Sequence, residues 1–559
     1  MSSAPLADLA ARYWDFQREE FPITAIMAGQ PPQHEQLLRD APGDHERRAT
    51  WAKVALNILE DIAPRSLDLE DCTTSTLLRR EFELLIEAVE SGAYLRPPLY
   101  PLGPDFALQY WAGATALSSA AEARKYLARL RTIPSALAGV RESLEAGLAR
   151  GYRYSALVVR RAVDQTRATL AVPPAEHPFA LPILRIAARS PALTALAEEI
   201  RTLVAKTLYP TISAYADFLE QKLATAARDS LACLDDEDGE AYYRYWIRTS
   251  TTLDLTPQEI HDIGLFEVER VHTEMVALTG GELSDFLERL RGDSRQFAKS
   301  GEALREQIEI LSKRIDARIP EFFGRVPRTT YGVRSIPEAI AEKMPPAYAQ
   351  PNPADGTSAG IHWVTSIPAK CPRYMHIPLA LHEAWPGHLM HLALIQEMEH
   401  LPAFRRYGAL RYSACLEGWA LYSEYLGEEM GLYDTREKKY GRLEMEMWRA
   451  VRLVVDTGIH AYGWTRDQAI DYFDRHMAMP RATTEAEVDR YIAWPGQALA
   501  YQLGNLKFRE IRQRSEQSLG EEFRIRDFHD ALMAAGPVTL PVLDQLMKSW
   551  MDRQRPKTA

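Results

Sequence analysis

Four cysteines in 559 residues, none in a C-x-x-C pair, leave little material for a disulfide framework. Cys72, Cys233, Cys371 and Cys415 read as reduced thiols in a cytoplasmic setting. A basic surplus is missing too. Lys and Arg number 66 against 77 Asp and Glu, a net charge of −11. Nucleic acid and anionic membrane are therefore disfavoured as partners, because no cation excess is available to neutralise phosphates. Long apolar runs are also absent: no uncharged stretch is long enough to span a bilayer. The opening "MSSAPLADLAARYWDFQREEFP" has no basic n-region and no apolar h-region, so a signal peptide is not expected. Net charge does not choose the substrate, since the field inside a cleft can differ from the total.

What is present is helix. In residues 121–151, Leu127, Leu130, Leu137, Val140, Leu144 and Leu148 recur at near-helical spacing, with Pro134 at a break. Residues 190–227 continue the pattern. Thr256 before Pro257 is a helix cap followed by a favoured first helical residue. The clearest strand signal is "GIHWVTS" (360–366), where Ile361, Trp363 and Thr365 alternate with His362 and Val364. Pro and Gly concentrate in 325–387, a long irregular approach of the kind that is often functional. The acidic run "LDDEDGE" (234–240) reads as a solvated loop. It divides an N-terminal helical region, 1–235, from a region 236–559 that carries the chemistry, the two forming one compact unit.

The chemistry centres on "HEAWPGHLMH", His382 to His391. The zinc motif H-E-x-x-H sets two histidines four residues apart, about 400° of helix rotation, so both rings share one face. Here six residues separate His382 from His388, about 600°, which leaves the rings roughly 120° apart on a regular helix. Pro386 removes a helix hydrogen bond and Gly387 permits unusual backbone angles. A distortion at "AWPG" can absorb the two extra residues and return His388 to the face of His382, with Glu383 beside the first ligand as general base. A third ligand should come from another helix. "ACLEGWALYSEYLGEEMGLY" (414–433) sets Glu417 and Glu424 seven apart on one face, and Glu417 is the candidate. The competing reading is a Pro-Gly turn with surface histidines beside a wet acidic face.

"HEAWPGH", "LEGWALYSEYLGEEMGLY", "RLVVDTGIHAYGWTRDQAIDYF" (452–473) and "RYIAWPGQALAYQLGNLKF" (490–508), in this order, resemble the bacterial domain of unknown function 885 family, over most of the chain. The resemblance implies a mainly α, gluzincin-like zinc metallopeptidase: two helical halves around a deep cleft, with a small β-sheet near the zinc site. His382, His388 and Glu417 would then hold Zn2+, and Glu383 would be the base. Two positions depart from the family pattern: Ala384 stands where Gly is usual, and Leu389 where a second His is often found. His391 reads either as a substitute hydrogen-bonding group or as an ordinary packed or exposed histidine. His460, Tyr491 and Tyr501 are donors from segments that the resemblance places near the cleft, available to an oxyanion; for each tyrosine the alternative is core packing with a satisfied hydroxyl. Arg452 can pair with a substrate carboxylate, with Glu424 or with Asp456. The "GIHWVTS" strand is either an edge that pairs with an extended peptide or an internal strand.

These readings lead to a zinc-dependent hydrolase acting on short peptides, as an oligopeptidase or in a carboxypeptidase-like way. The alternatives are a zinc amidohydrolase for a non-peptide metabolite amide and a catalytically silent binding protein of the same fold. An intact Glu383 speaks against the silent protein, because a binder has no need of a base. The expected partner is a short peptide or a small amide; oligomeric state, scissile bond and pathway are left open.

Overall fold

Binary patterning in the sequence is overwhelmingly helical, and so is the molecule. The computed structural model describes residues 4–30, 32–63, 67–280, 283–342, 344–354 and 356–555. They are mainly helical, with a small three-stranded sheet. The chain divides into two compact units, neither of them a single run of sequence. The first comprises Met1–Tyr245, Ile459–Arg466 and Ala486–Pro495, the second Trp246–Gly458, Asp467–Glu485 and Gly496–Ala559.

In the first unit, helices Ala4–Glu20, Pro42–Glu60 and Leu69–Glu90 pack through Tyr13, Phe16, Trp51 and Phe82, whose rings meet stacked or edge-on. Pro134 sits in the first turn of helix Ile133–Ala149, which follows a separate helix Ala120–Leu130. A proline there forfeits only an N–H that has no helical partner. The acidic run is more than a solvated loop. Asp236 takes the Arg96 guanidinium at 2.8 Å and the Arg153 N–H at 2.8 Å, and Asp238 accepts the Tyr152 hydroxyl at 2.8 Å. It ties the unit together, and the unit continues to Tyr245.

In the second unit, Thr256 caps helix Pro257–Thr279 reciprocally: its hydroxyl accepts the Glu259 N–H and the Glu259 carboxylate accepts the Thr256 N–H. Strands β1 (Tyr331–Ser335), β2 (Ala347–Gln350) and β3 (Gly360–Val364) form a sheet in the order β1–β3–β2, with β3 parallel to β1 and antiparallel to β2. Of the two readings of "GIHWVTS", the internal strand is the one observed. β3 is the middle strand, and its backbone groups are used in ladders on both sides.

Helices α1 (Arg373–Glu383), α2 (His388–Gln396), α3 (Ser413–Glu429), α4 (Arg436–Tyr462) and α5 (Ala500–Leu519) carry most of the polar residues singled out above. α3 packs on both α1 and α5. Its crossing with α5 brings the backbones of Gly418 and Gly504 together: a side chain on either glycine would collide with the other helix. Two small residues therefore hold α3, and with it Glu417, at a fixed depth. Among the described residues, no helix is long and apolar enough to cross a membrane.

Candidate metal centre

α1 ends at Glu383, directly after His382, and α2 begins at His388. The last helical bond of α1 runs from the Ala384 N–H to the Ala380 carbonyl at 3.0 Å, and the Gly387 carbonyl accepts the first bond of α2 from the His391 N–H, also 3.0 Å. Between them Ala384 leaves helical geometry (φ −95°, ψ −122°), as does Gly387 (φ −69°, ψ −135°), and the Trp385–Pro386 peptide is cis. The stretch therefore folds as two helices joined by a four-residue turn rather than as one bulged helix. Its sequence explains the break. Pro386 has no N–H to continue the ladder, and Gly387 packs so tightly that a Cβ would overlap the carbonyl oxygens of His382 and Leu381. The turn is fastened from outside: the Trp419 indole N–H donates to the Pro386 carbonyl at 2.8 Å, and the Trp385 ring rests 5.6 Å from that of Tyr331.

The turn brings the two imidazoles together, centroid to centroid 4.8 Å, nearly perpendicular at 87°. Each Nε2 lies 3.4 Å from the same atom, Oε2 of Glu417. One donor atom from each of the three residues falls within 4.8 Å of the others. A distance of 3.4 Å is long for a hydrogen bond between a ring nitrogen and a carboxylate. It matches the spacing of two donors around a tetrahedral cation: bonds of about 2.0–2.1 Å place neighbouring ligands about 3.3–3.4 Å apart. Glu417 Oε2 is out of reach of solvent and has no hydrogen-bond partner in the protein. A bare buried carboxylate oxygen of this kind demands a partner. Two imidazole nitrogens and one carboxylate oxygen are a donor set that suits zinc, and three protein ligands leave a fourth position for water or substrate.

The electrostatics carry the same demand. Burial alone would lower the pKa of His382, but the carboxylates of Glu417 and Glu424 outweigh it and push the value up to about 9. Burial likewise opposes ionisation of Glu417, and His388 and His382 override it, holding its carboxyl well below the usual range. The cluster thus binds positive charge strongly, and protons compete with a metal ion for it.

Glu424 had no assigned role in the sequence beyond sharing a face with Glu417. Its Oε1 is 2.8 Å from His382 Nδ1. A proton on Nδ1 leaves the Nε2 lone pair facing Glu417, the arrangement by which a carboxylate orients a metal-binding histidine. Glu424 is itself held: the Tyr433 hydroxyl donates to its backbone carbonyl at 2.8 Å, and Arg449 Nη2 is 3.5 Å from Oε1. The cation beside Glu424 is thus Arg449, one turn before Arg452. The signal available in the sequence was the seven-residue repeat on α3, which cannot say which ring nitrogen the second glutamate meets. The Glu383 side chain, half-buried at the end of α1, makes no hydrogen bond or ion pair with another described residue.

The remaining candidates lie in different surroundings. His391 is buried one turn beyond His388, its ring 5.9 Å from that of Trp419 and its Nδ1 without a partner. His460 and Tyr491 belong to the first unit. His460 Nδ1 accepts the Cys233 N–H at 3.2 Å and its Nε2 donates to the Tyr491 carbonyl at 2.9 Å; burial pushes its pKa down to about 4. The buried Tyr491 donates its hydroxyl to Glu487 at 2.6 Å. Tyr501, at the start of α5 in the second unit, is half-buried, and the Arg452 guanidinium stacks 4.2 Å over its ring and 4.7 Å over that of Trp448.

Comparison with known proteins places the chain in a family. Residues 22–547 match the family described as "Bacterial protein of unknown function (DUF885)", and the chain belongs to it. No curated protein matches the sequence. The crystal structure of the putative lipoprotein from Colwellia psychrerythraea superposes with a TM-score of 0.91 at 26% identity, over 98% of this chain and 99% of that one. A putative lipoprotein of unknown function from Shewanella oneidensis shares the fold with a TM-score of 0.70 at 19% identity, over 98% of this chain and 100% of that one.

Proposed function

We propose that this member of the family is a zinc-dependent hydrolase that cleaves amide bonds in short peptides, in the manner of an oligopeptidase or a carboxypeptidase. One observation carries the reading: a solvent-excluded oxygen of Glu417 stands 3.4 Å from both His382 and His388 with no hydrogen bond to satisfy it. His382, His388 and Glu417 would hold the ion. When bound, zinc supplies a Lewis acid that polarises an acyl oxygen and lowers the pKa of water. Glu383 takes the proton of the attacking water and passes it to the leaving amine; its freedom from other partners supports that role. Glu424 fixes His382 in the tautomer that presents Nε2. A gluzincin-type arrangement around a deep cleft, suited to short chains rather than folded proteins, is part of this reading. So is a cytoplasmic location, in keeping with four free cysteines; cell fractionation tests it, and recovery in a membrane fraction would contradict it.

Hydrolysis of a non-peptide amide would use the same residues, and the choice between the two rests on substrate alone. Two measurements test the proposal together: metal content of the purified protein, and digestion of a peptide library by wild type and by Glu383→Gln. Zinc in both proteins with cleavage by the wild type alone is the expected result. Absence of zinc from the wild type would return the protein to the class of metal-free binders.

A further inference from the structure

His362 is the middle residue of β3 and is wholly buried, yet neither of its ring nitrogens has a hydrogen-bond partner in the protein. Strand alternation puts Gly360, His362 and Val364 on one face of the sheet. At Gly360 that face meets Leu389, the residue after His388, so closely that a Cβ would sit 3.0 Å from its Cδ2. The face therefore looks onto α2, the helix that begins with His388. Across the ladders its neighbours are Val333 on β1 and Ala349 on β2, which bring no polar side chain. An apolar residue would fill this position better, unless the ring meets a group that the chain does not itself supply.

We infer that His362 is a substrate-binding residue of the metal centre, donating a ring N–H to the acyl oxygen of an amide held there. This rests on the zinc reading above and extends it from the ligands to the substrate. The donor is neutral imidazole, because a wholly buried ring disfavours the charged form. A neutral ring keeps one N–H to give and adds no charge against a zinc ion. Donors of this kind, fixed before the substrate arrives, stabilise a developing oxyanion without reorganisation.

The test uses His362→Phe, which removes the donor, and His362→Gln, which keeps an N–H. Zinc content is measured first, and then the affinity of the zinc-loaded proteins for acetohydroxamate, a small probe whose carbonyl oxygen stands in for the acyl oxygen. Unchanged zinc, an affinity about three- to tenfold weaker in His362→Phe, and partial recovery in His362→Gln are expected for one lost hydrogen bond. Full zinc with wild-type affinity in both variants would overturn the inference. Loss of zinc from both would also overturn it, making His362 a support of the ligand helices. A wild type that takes up no zinc would remove the zinc reading itself, a result distinct from either.

Discussion

Two regions that the sequence singled out for catalysis, one around His382 in the second unit and one around His460 in the first, differ in how their histidines are satisfied. At His460 both ring nitrogens meet backbone groups, and the neighbouring Tyr491 hydroxyl meets Glu487. At His382 the account does not close. Glu417 Oε2, His391 Nδ1 and both nitrogens of His362 lack partners although they are buried. A closed network fixes a fold, whereas unpaired carboxylate and imidazole atoms gathered around one pair of histidines mark where something else can bind. His460 would have to give up a hydrogen bond before its ring touched a substrate. Glu383 and His362 have none to give up.

The largest effects should come from the open region. Glu383→Gln should retain zinc and lose about 10²–10⁴ in turnover, as for a positioned general base; equal turnover in the mutant would remove the proposed mechanism. Gly387→Ala drives a methyl group into the His382 and Leu381 carbonyls. It should displace His388 and lower zinc occupancy, with about 1–3 kcal/mol of stability lost in denaturant unfolding. Glu424→Gln leaves the ligands in place but weakens the hold on His382, and zinc affinity should fall about 10–100-fold by competition with a chelator. In the closed region, Tyr491→Phe should leave zinc content and affinity untouched and lower stability by about 0.5–1.5 kcal/mol, the worth of one hydrogen bond. A zinc defect there would blur the distinction between the two regions.

His460 and His382 themselves have opposite pH signatures. The folded pKa of His460 is about 4, below its ordinary 6.5, so the unfolded chain binds more protons between those values. That stability is present above pH 6.5 and is lost as pH falls toward 4. The folded pKa of His382 in metal-free protein is about 9, above 6.5. Its contribution is complete below pH 6.5 and is lost as pH rises through 9. Unfolding of metal-free protein across pH 4–9.5 should therefore show both flanks. His460→Gln should lessen the acid flank, to which the buried His177 and His376 also contribute, and saturating zinc should flatten the alkaline one.

Much of the open region was legible because its chemistry is local. His382, Glu383 and His388 stand in seven residues, and Pro386 and Gly387 forbid a regular helix between them. The Thr256 cap before Pro257 and the break at Pro134 were equally readable from residues a few positions apart. What could not be read depends on long-range packing. Glu424 orients His382 across 42 positions. The middle place of β3 depends on strand order, which no alternation pattern encodes, and so the choice between edge and internal strand at "GIHWVTS" stayed open until the fold was seen. Asp236 and Asp238 look like a solvated run until Arg96, 140 residues earlier, is folded against them. That His460 and Tyr491 join the first unit follows from the chain's returning to it twice after residue 245, which local periodicity does not reveal.

The central claim is that the unsatisfied oxygen of Glu417 is a metal ligand. Zinc stoichiometry by native mass spectrometry of wild type, Glu383→Gln, His388→Ala and Glu417→Ala tests it directly. One zinc per chain in the first two and none in the last two is the predicted result; a full complement in Glu417→Ala, with the chain still folded, would contradict it.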